Sequence, residues 1–192
     1  MRPEELLDIL TVAGRLKTNT RHCYTLENRK ESVADHSWRI ALMAMLLSGE
    51  DEFQNVDLNK VIRMCLIHDL GEAFTGDVPA FEKKTSDEKT EETLFNGWVA
   101  TFQEPQREEW RKLLQEMRAM ETREAKTYKA LDKLEAVISH NESDIATWLP
   151  LEFELQLTYG ESEVQFSAYF KRLKEYVNEC TKGKIASEGS KQ

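Results

Sequence analysis

The segment IHDLGE places His68, Asp69 and Glu72 within little more than one helical turn, at the end of an apolar run. An imidazole and a carboxylate buried side by side are costly unless each is hydrogen-bonded or bound to a cation, so the pair calls for a partner. Taken alone, the dipeptide reads better as a core histidine beside a helix-capping aspartate. Two further positions reverse that weighting. His36 lies in ESVADHSWR and Asp132 in ALDKLEAV, the latter a carboxylate flanked by Leu131 and Leu134. A salt bridge from Asp132 to Lys129 or Lys133 is the competing reading, and it becomes the lesser one once three helices offer ligand-type groups. Imidazole nitrogen with carboxylate oxygen suits zinc, manganese, iron or cobalt and does not choose among them.

These residues need elements to hold them, and the spacing of apolar residues is helical nearly everywhere, which predicts an all-α fold. A first helix opens at Pro3, carries Leu6, Leu7, Ile9, Leu10 and Ala13 on an apolar stripe and ends near Gly14. A polar connector from Lys17 to Glu31 follows. Ser32, with Asp35 three positions on, is the expected N-cap of a helix running through Trp38, Ala41, Leu42 and Met45, with His36 in its first turns. Asp57 is expected to cap a third, central helix whose Val61, Ile62, Met64, Cys65, Leu66 and Ile67 lead to His68 and Asp69. Gly76 and Pro79 in the TGDVP segment stop helix continuation. Three amphipathic helices are predicted near residues 87 to 103, 105 to 120 and 122 to 141, the third carrying Asp132 and turning Leu131, Leu134, Val137 and Ile138 inward. A last helix spans about 162 to 180. One domain is thus expected over residues 1–181, with 182–192 as a polar tail.

Bulk properties narrow the function. A chain of 192 residues with 40% hydrophobic and 32% charged residues suits one globular core. The net charge of -9 argues against a polymeric nucleic acid as substrate, but not against a small phosphate ester held by a cation or a local arginine. No apolar run approaches the ~20 residues that cross a bilayer, the N-terminus lacks a secretion-signal layout, and Cys23, Cys65 and Cys180 form no CxxC pair. Reduced thiols and a cytoplasmic location are the expectation. Cys65 is assigned to the core, and Cys23, although beside His22, is discounted as a nucleophile.

The order H, then HD, then D resembles the signature of the HD-domain metal-dependent phosphohydrolases. ESVADHSWR, HDLGEAFTGDVPAF and the ETREAK segment leading into ALDKLEA look like the branch that contains bacterial 5'-deoxynucleotidases, over roughly residues 15 to 175. The resemblance implies a single-domain helical bundle of the HD superfamily, a possible homodimer, and His36, His68, Asp69 and Asp132 as ligands of one divalent ion: manganese, cobalt, zinc, iron or nickel. Members with two metals add histidines between the HD pair and the last aspartate, and none occurs here between His68 and His140.

Glu72 stands four residues after His68 and three after Asp69, so on a continuing helix it shares their face; otherwise it is an exposed terminal glutamate. The resemblance makes it a proton donor or acceptor, places Asp77 beside the reacting phosphate and water, and matches Arg21 to an arginine that contacts phosphate. By residue type alone, Asp77 could serve turn backbone and Arg21 could be a solvated charge. The family pattern has tryptophan after that arginine, whereas this chain has His22, which leaves the sugar preference open. His140 is read as a packing or solvent-facing residue and Glu121 is set aside. Trp148, Leu149 and Phe153 belong either to an interface or to the C-terminal core.

The function expected is therefore a 5'-nucleotidase acting on (deoxy)ribonucleoside 5'-monophosphates. Another HD hydrolase of a phosphodiester or an alarmone is one alternative. Alarmone hydrolases show an acidic pair after HD where this chain has Glu72 and Ala73. A non-enzymatic, metal-stabilised interaction protein is the other.

Overall fold

The structure is a computed structural model that describes residues 1–25 and 28–188. Its elements are α1 (Pro3–Ala13), β1 (Thr20–Tyr24), β2 (Lys30–Ser32), α2 (Val33–Leu46), α3 (Leu58–Ile67), α4 (Glu72–Thr75), α5 (Thr85–Val99), α6 (Gln106–Ala119), α7 (Arg123–Glu142), α8 (Glu152–Thr158) and α9 (Ala168–Glu188). The fold is all-α, and its centre is a packet of α2, α3 and α7. Val33, Ile40 and Ala44 meet Val61, Met64 and Cys65 across it, and Ala130, Leu131 and Leu134 close it, none exposed by more than 1%. Burying such a face, at ~25 cal/mol per Å², is what makes marginal individual helices stable together.

Local chemistry sets the helix starts. The Ser32 hydroxyl accepts from the Asp35 N–H at 3.1 Å while the Asp35 carboxylate accepts from the Ser32 N–H at 2.8 Å, a reciprocal cap on α2. Asp57 accepts from the Lys60 N–H at 3.0 Å to start α3, and Thr122 caps α7.

The structure differs from the sequence reading in five places. The connector before α2 contains an antiparallel pair, β1 with β2, matching Thr20 to Ser32 and Tyr24 to Lys30 with an irregularity between. The α1 stripe is not a core stripe: Leu6, Leu7 and Leu10 are exposed, and only its Ile9, Val12 and Ala13 side touches the core. Trp38, Met45 and Leu66 are likewise exposed, because α2 and α3 each have one free side. The helix does not run on through the HD pair: α3 ends at Ile67, Leu70 N–H bonds the Ile67 carbonyl at 3.1 Å in a tight turn, and α4 restarts at Glu72. Finally, α8 occupies part of the segment read as interface or core, with Trp148 buried and Leu149 at the surface, and α9 begins at Ala168 and runs to Glu188. Residues 182–188 of the expected tail are therefore helical, and 189–192 lie outside the described residues.

The same core extends between α4, α5 and α6, where the Trp98 ring lies 5.7 Å from Phe74, 4.9 Å from Phe102 and 6.1 Å from Trp110. Among the described residues no helix is long and apolar enough to cross a membrane.

Candidate metal centre and its cavity

The cap on α2, the turn after α3 and the middle of α7 bring the four expected ligands to one point. His36 Nε2 lies 3.3 Å from Asp132 Oδ1 and 3.9 Å from Asp69 Oδ2. His68 Nε2 lies 2.9 Å from Asp69 Oδ2 and 3.8 Å from Asp132 Oδ1. The opposite ring nitrogens are committed elsewhere: His68 Nδ1–H donates to the Cys65 carbonyl at 2.9 Å, and His36 Nδ1–H donates to the Glu135 carboxylate. This second set of bonds turns both Nε2 atoms toward the carboxylates and fixes the ring planes.

The donors fit a divalent ion. His68 Nε2 is buried without an aligned hydrogen-bond partner, and two imidazoles with two carboxylates are a ligand set for a borderline transition metal. The electrostatics agree. Burial disfavours the charge on Asp69, yet His68 and His36 hold its carboxyl well below the usual range. Burial likewise opposes Asp132, which Lys129 and Lys133 keep strongly acidic. Burial and Arg21 act against a proton on His36, but its bonds to Asp132 and Glu135 outweigh them and lift its pKa to about 9, so the centre attracts positive charge.

Asp132 satisfies both of its readings at once. Its Oδ1 faces the imidazoles, while its Oδ2 accepts from Lys129 at 2.8 Å and lies 3.6 Å from Lys133. Lys133 also donates to the Tyr159 hydroxyl at 2.8 Å. Its stem passes close to Gly160, at φ +77, where a Cβ would stand 2.7 Å from the Lys133 Cβ; a larger residue there would push the lysine off the centre.

A cavity of about 180 Å³ opens beside the ligands and is lined by Arg21, Asp69, Glu72, Asp77, Lys83 and Asp132 among others. Glu72 is 3% exposed and Oε2 has no hydrogen-bond partner. Burial, then Asp69, Asp77 and Glu91, push its carboxyl up to about 10, with Lys83 at 3.8 Å only partly opposing. Its backbone is gripped from the N-terminal segment, where the Asn19 side-chain amide donates to the Glu72 carbonyl at 2.6 Å. Gly76, at φ 78, ends α4 and turns the chain to Asp77, whose carboxyl burial also raises. Arg21, on β1, lies 3.5 Å from Glu31 and 3.6 Å from Glu135, which hold it charged despite its burial.

The sequence does not single out Glu135, and of the two readings for His140, packing or solvent-facing, the structure shows the packing one, its ring 4.6 Å from Trp148. Glu135 is fully buried and bridges His36 and Arg21; its signal was a second carboxylate three residues after Asp132, on the same face of an apolar helix. The grouping of Glu31, His36 and Glu135 is close enough for an ion, but Arg21 already supplies its positive charge. His140 is only 4% exposed and reaches the same cavity. Glu121 is exposed, Cys65 is fully buried in the core, and burial beside Glu31 pushes the Cys23 thiol up to about 12, which leaves it inert.

A helical packet that turns two imidazoles and two carboxylates onto one point, beside a cavity holding a half-buried arginine and a buried glutamate, defines a metal-dependent hydrolase of anionic esters. The HD domain family model matches residues 13–174, and the chain belongs to that family. It is 31% identical over 173 residues to "5'-deoxynucleotidase HDDC2" of Dictyostelium discoideum, covering 85% of each chain. It is 33% identical over 141 residues to the protein of that name in Homo sapiens, covering 71% of this chain and 67% of the relative. A solved structure described as a predicted metal-dependent phosphohydrolase from Magnetospirillum magnetotacticum MS-1 superposes with a TM-score of 0.78 at 28% identity, over 96% of this chain and 93% of that one. The chain is thus a phosphohydrolase that depends on a divalent metal.

Proposed function

We propose that this enzyme is a 5'-nucleotidase that hydrolyses nucleoside 5'-monophosphates to nucleoside and inorganic phosphate, with one divalent ion held by His36, His68, Asp69 and Asp132. The observation that carries the reading is the convergence of both Nε2 atoms on the two aspartates, at the edge of a cavity that also holds Arg21, Glu72 and Asp77. The names of the similar proteins agree with it. When bound, the ion supplies Lewis-acid polarisation of the phosphoryl group and acidifies water.

The chain's own residues do the rest. Arg21, already oriented by Glu31 and Glu135, pairs with phosphate oxygens and sets the ester in place. Asp77 borders the phosphate and orients the attacking water. As water's oxygen forms its bond to phosphorus it loses one proton to the Asp77 carboxylate, the bond from phosphorus to the 5'-oxygen breaks, and the Asp77 proton later returns to Glu72 through solvent. Glu72, held protonated near neutral pH, gives its proton to that leaving oxygen.

A cytoplasmic location and a homodimer belong to the same reading. Three free, separated cysteines support the first, and exposed Leu6, Leu7 and Leu10 on α1 support the second, which sedimentation would test. The deciding experiment is phosphate release from ribo- and deoxyribonucleoside 5'-monophosphates by metal-stripped protein given manganese, cobalt, zinc, iron or nickel. Release only after metal addition supports the reading. Metal binding without release from any nucleotide overturns it.

A further inference from the structure

Helix α8 turns one face to the cavity. Its Glu152, Leu155 and Gln156, with Tyr159 just past its end, follow one another at the three- and four-residue spacing of a single helix face, and all four line the cavity. The helix is held there at both ends and from behind. Glu152 lies 3.2 Å from His22 Nε2 and 3.3 Å from His140 Nε2, contacts that satisfy its carboxylate. The Tyr159 hydroxyl accepts from Lys133, whose ammonium also lies 3.6 Å from Asp132. From α9, Lys174 and Asn178 donate to the Gln156 and Leu157 carbonyls, each at 3.0 Å. Side chains on a helix pinned at so many points are preorganised, and Lys133 ties their position to the metal ligands.

Gln156 is the exception on that face. It is 7% exposed, and although its backbone carbonyl is bonded, its side-chain Oε1 is buried with no hydrogen-bond partner. Packing alone would be served better by leucine, which buries without the cost of an unpaired polar atom. The amide therefore waits for a ligand, and its chemistry selects among the parts of a nucleotide. Arg21, Glu72 and Asp77 are committed to the phosphate and its transfer. What the lining offers the rest of the molecule is the apolar surface of Val78, Phe81, Ala136 and Leu155 with the Gln156 amide in it. A second phosphate brings only acceptors and cannot satisfy an acceptor oxygen. A sugar hydroxyl would bond one end of the amide and leave the apolar surface bare. A nucleobase meets both, having flat apolar faces and an edge where donors and acceptors lie side by side in one plane, as they do in a carboxamide.

Resting on the nucleotidase reading, we propose that the inner face of α8 is a nucleobase subsite, in which the Gln156 amide pairs with the edge of the base and makes the base, as well as the phosphate, a determinant of turnover. The test is kcat/KM of the metal-loaded enzyme, and of Gln156→Leu and Gln156→Glu, for 2'-deoxyadenosine, 2'-deoxycytidine and thymidine 5'-monophosphates and for 2-deoxyribose 5-phosphate, which has no base. The unmodified enzyme should favour the nucleotides over the sugar phosphate by at least about 10-fold. Gln156→Leu should lower that ratio by at least about 5-fold with the sugar phosphate cleaved as before, a split that a merely structural role would not give. Gln156→Glu, an acceptor only, should move the preference toward adenine and cytosine, whose amino groups donate, and away from thymine. Each readout is a ratio between substrates on one enzyme, so a loss of folded protein does not alter it. Nucleotides cleaved no faster than the sugar phosphate, a ratio unmoved by Gln156→Leu, or a base order unmoved by Gln156→Glu overturns the subsite alone. Hydrolysis of no nucleotide overturns the nucleotidase reading and the subsite with it.

Discussion

Two packets of this molecule, one aromatic and partly buried and one ionic and buried more deeply, are stabilised by opposite means. Around Trp98, the rings of Phe74, Phe102 and Trp110 meet it edge to face and Phe95 stacks on it, and their energy comes from area removed from water and from ring contacts worth about 0.5–1.5 kcal/mol a pair. Around His36, buried Glu135, Asp132 and Glu72 and half-buried Arg21 lose hydration and recover it through one another. The aromatic packet holds the fold together. On the proposed reading the ionic packet is a burden on the fold, kept because it binds a cation and moves a proton.

The sharpest test of that contrast is Asp69→Ala. It should cut metal-dependent turnover by at least about 10³-fold and abolish the rise in melting temperature on metal addition, while the metal-free protein stays as stable as before or gains. A metal-free protein that unfolds after this change would break the comparison, since the ionic packet would then be structural. Trp98→Ala should do the reverse, costing about 3–5 kcal/mol in urea unfolding while turnover per folded molecule is kept. Glu72→Gln comes next: about a 10²-fold fall in kcat with little change in stability, because the neutral amide resembles the protonated acid that burial already enforces.

The smallest effect concerns Lys174, a buried lysine of α9 whose ammonium donates to the Gln156 carbonyl at 3.0 Å and which burial lowers to about 8. The unfolded chain, with its ordinary 10.5, binds the proton more tightly, so stability from this group rises as pH climbs from about 8 toward 10.5 and is lost below. Lys174→Met should flatten that rise and add about 1 kcal/mol at neutral pH, measured by denaturation across pH.

What the sequence made legible follows the range of each interaction. Ser32 with Asp35, and Asp57 with Lys60, act within one turn, so their helix starts could be read directly. The types and order of His36, His68, Asp69 and Asp132 pointed to one centre, because polar groups on apolar helices need partners. Strands β1 and β2 were hidden by their brevity and the lack of a hairpin dipeptide, and α8 by its seven residues between Pro150 and Gly160. Leu6, Leu7 and Leu10 show the converse: periodicity marks an apolar face but not whether anything covers it. Glu135 and Glu152 were overlooked because a glutamate looks like surface until its distant partners, Arg21 and His22, are in place.

Helix α7 carries Lys129, Asp132, Lys133, Glu135 and His140 on one rigid rod. Asp132 and His140 both line the cavity, and the helical rise fixes their separation at about 12 Å. The rod is in effect a ruler for substrate length, graduated in residues and independent of how the loops around it move. Inserting a single alanine between the two marks would lengthen it by only about 1.5 Å but turn one end by about 100° against the other. Length and register at this site are one inherited quantity, open to revision only in whole turns.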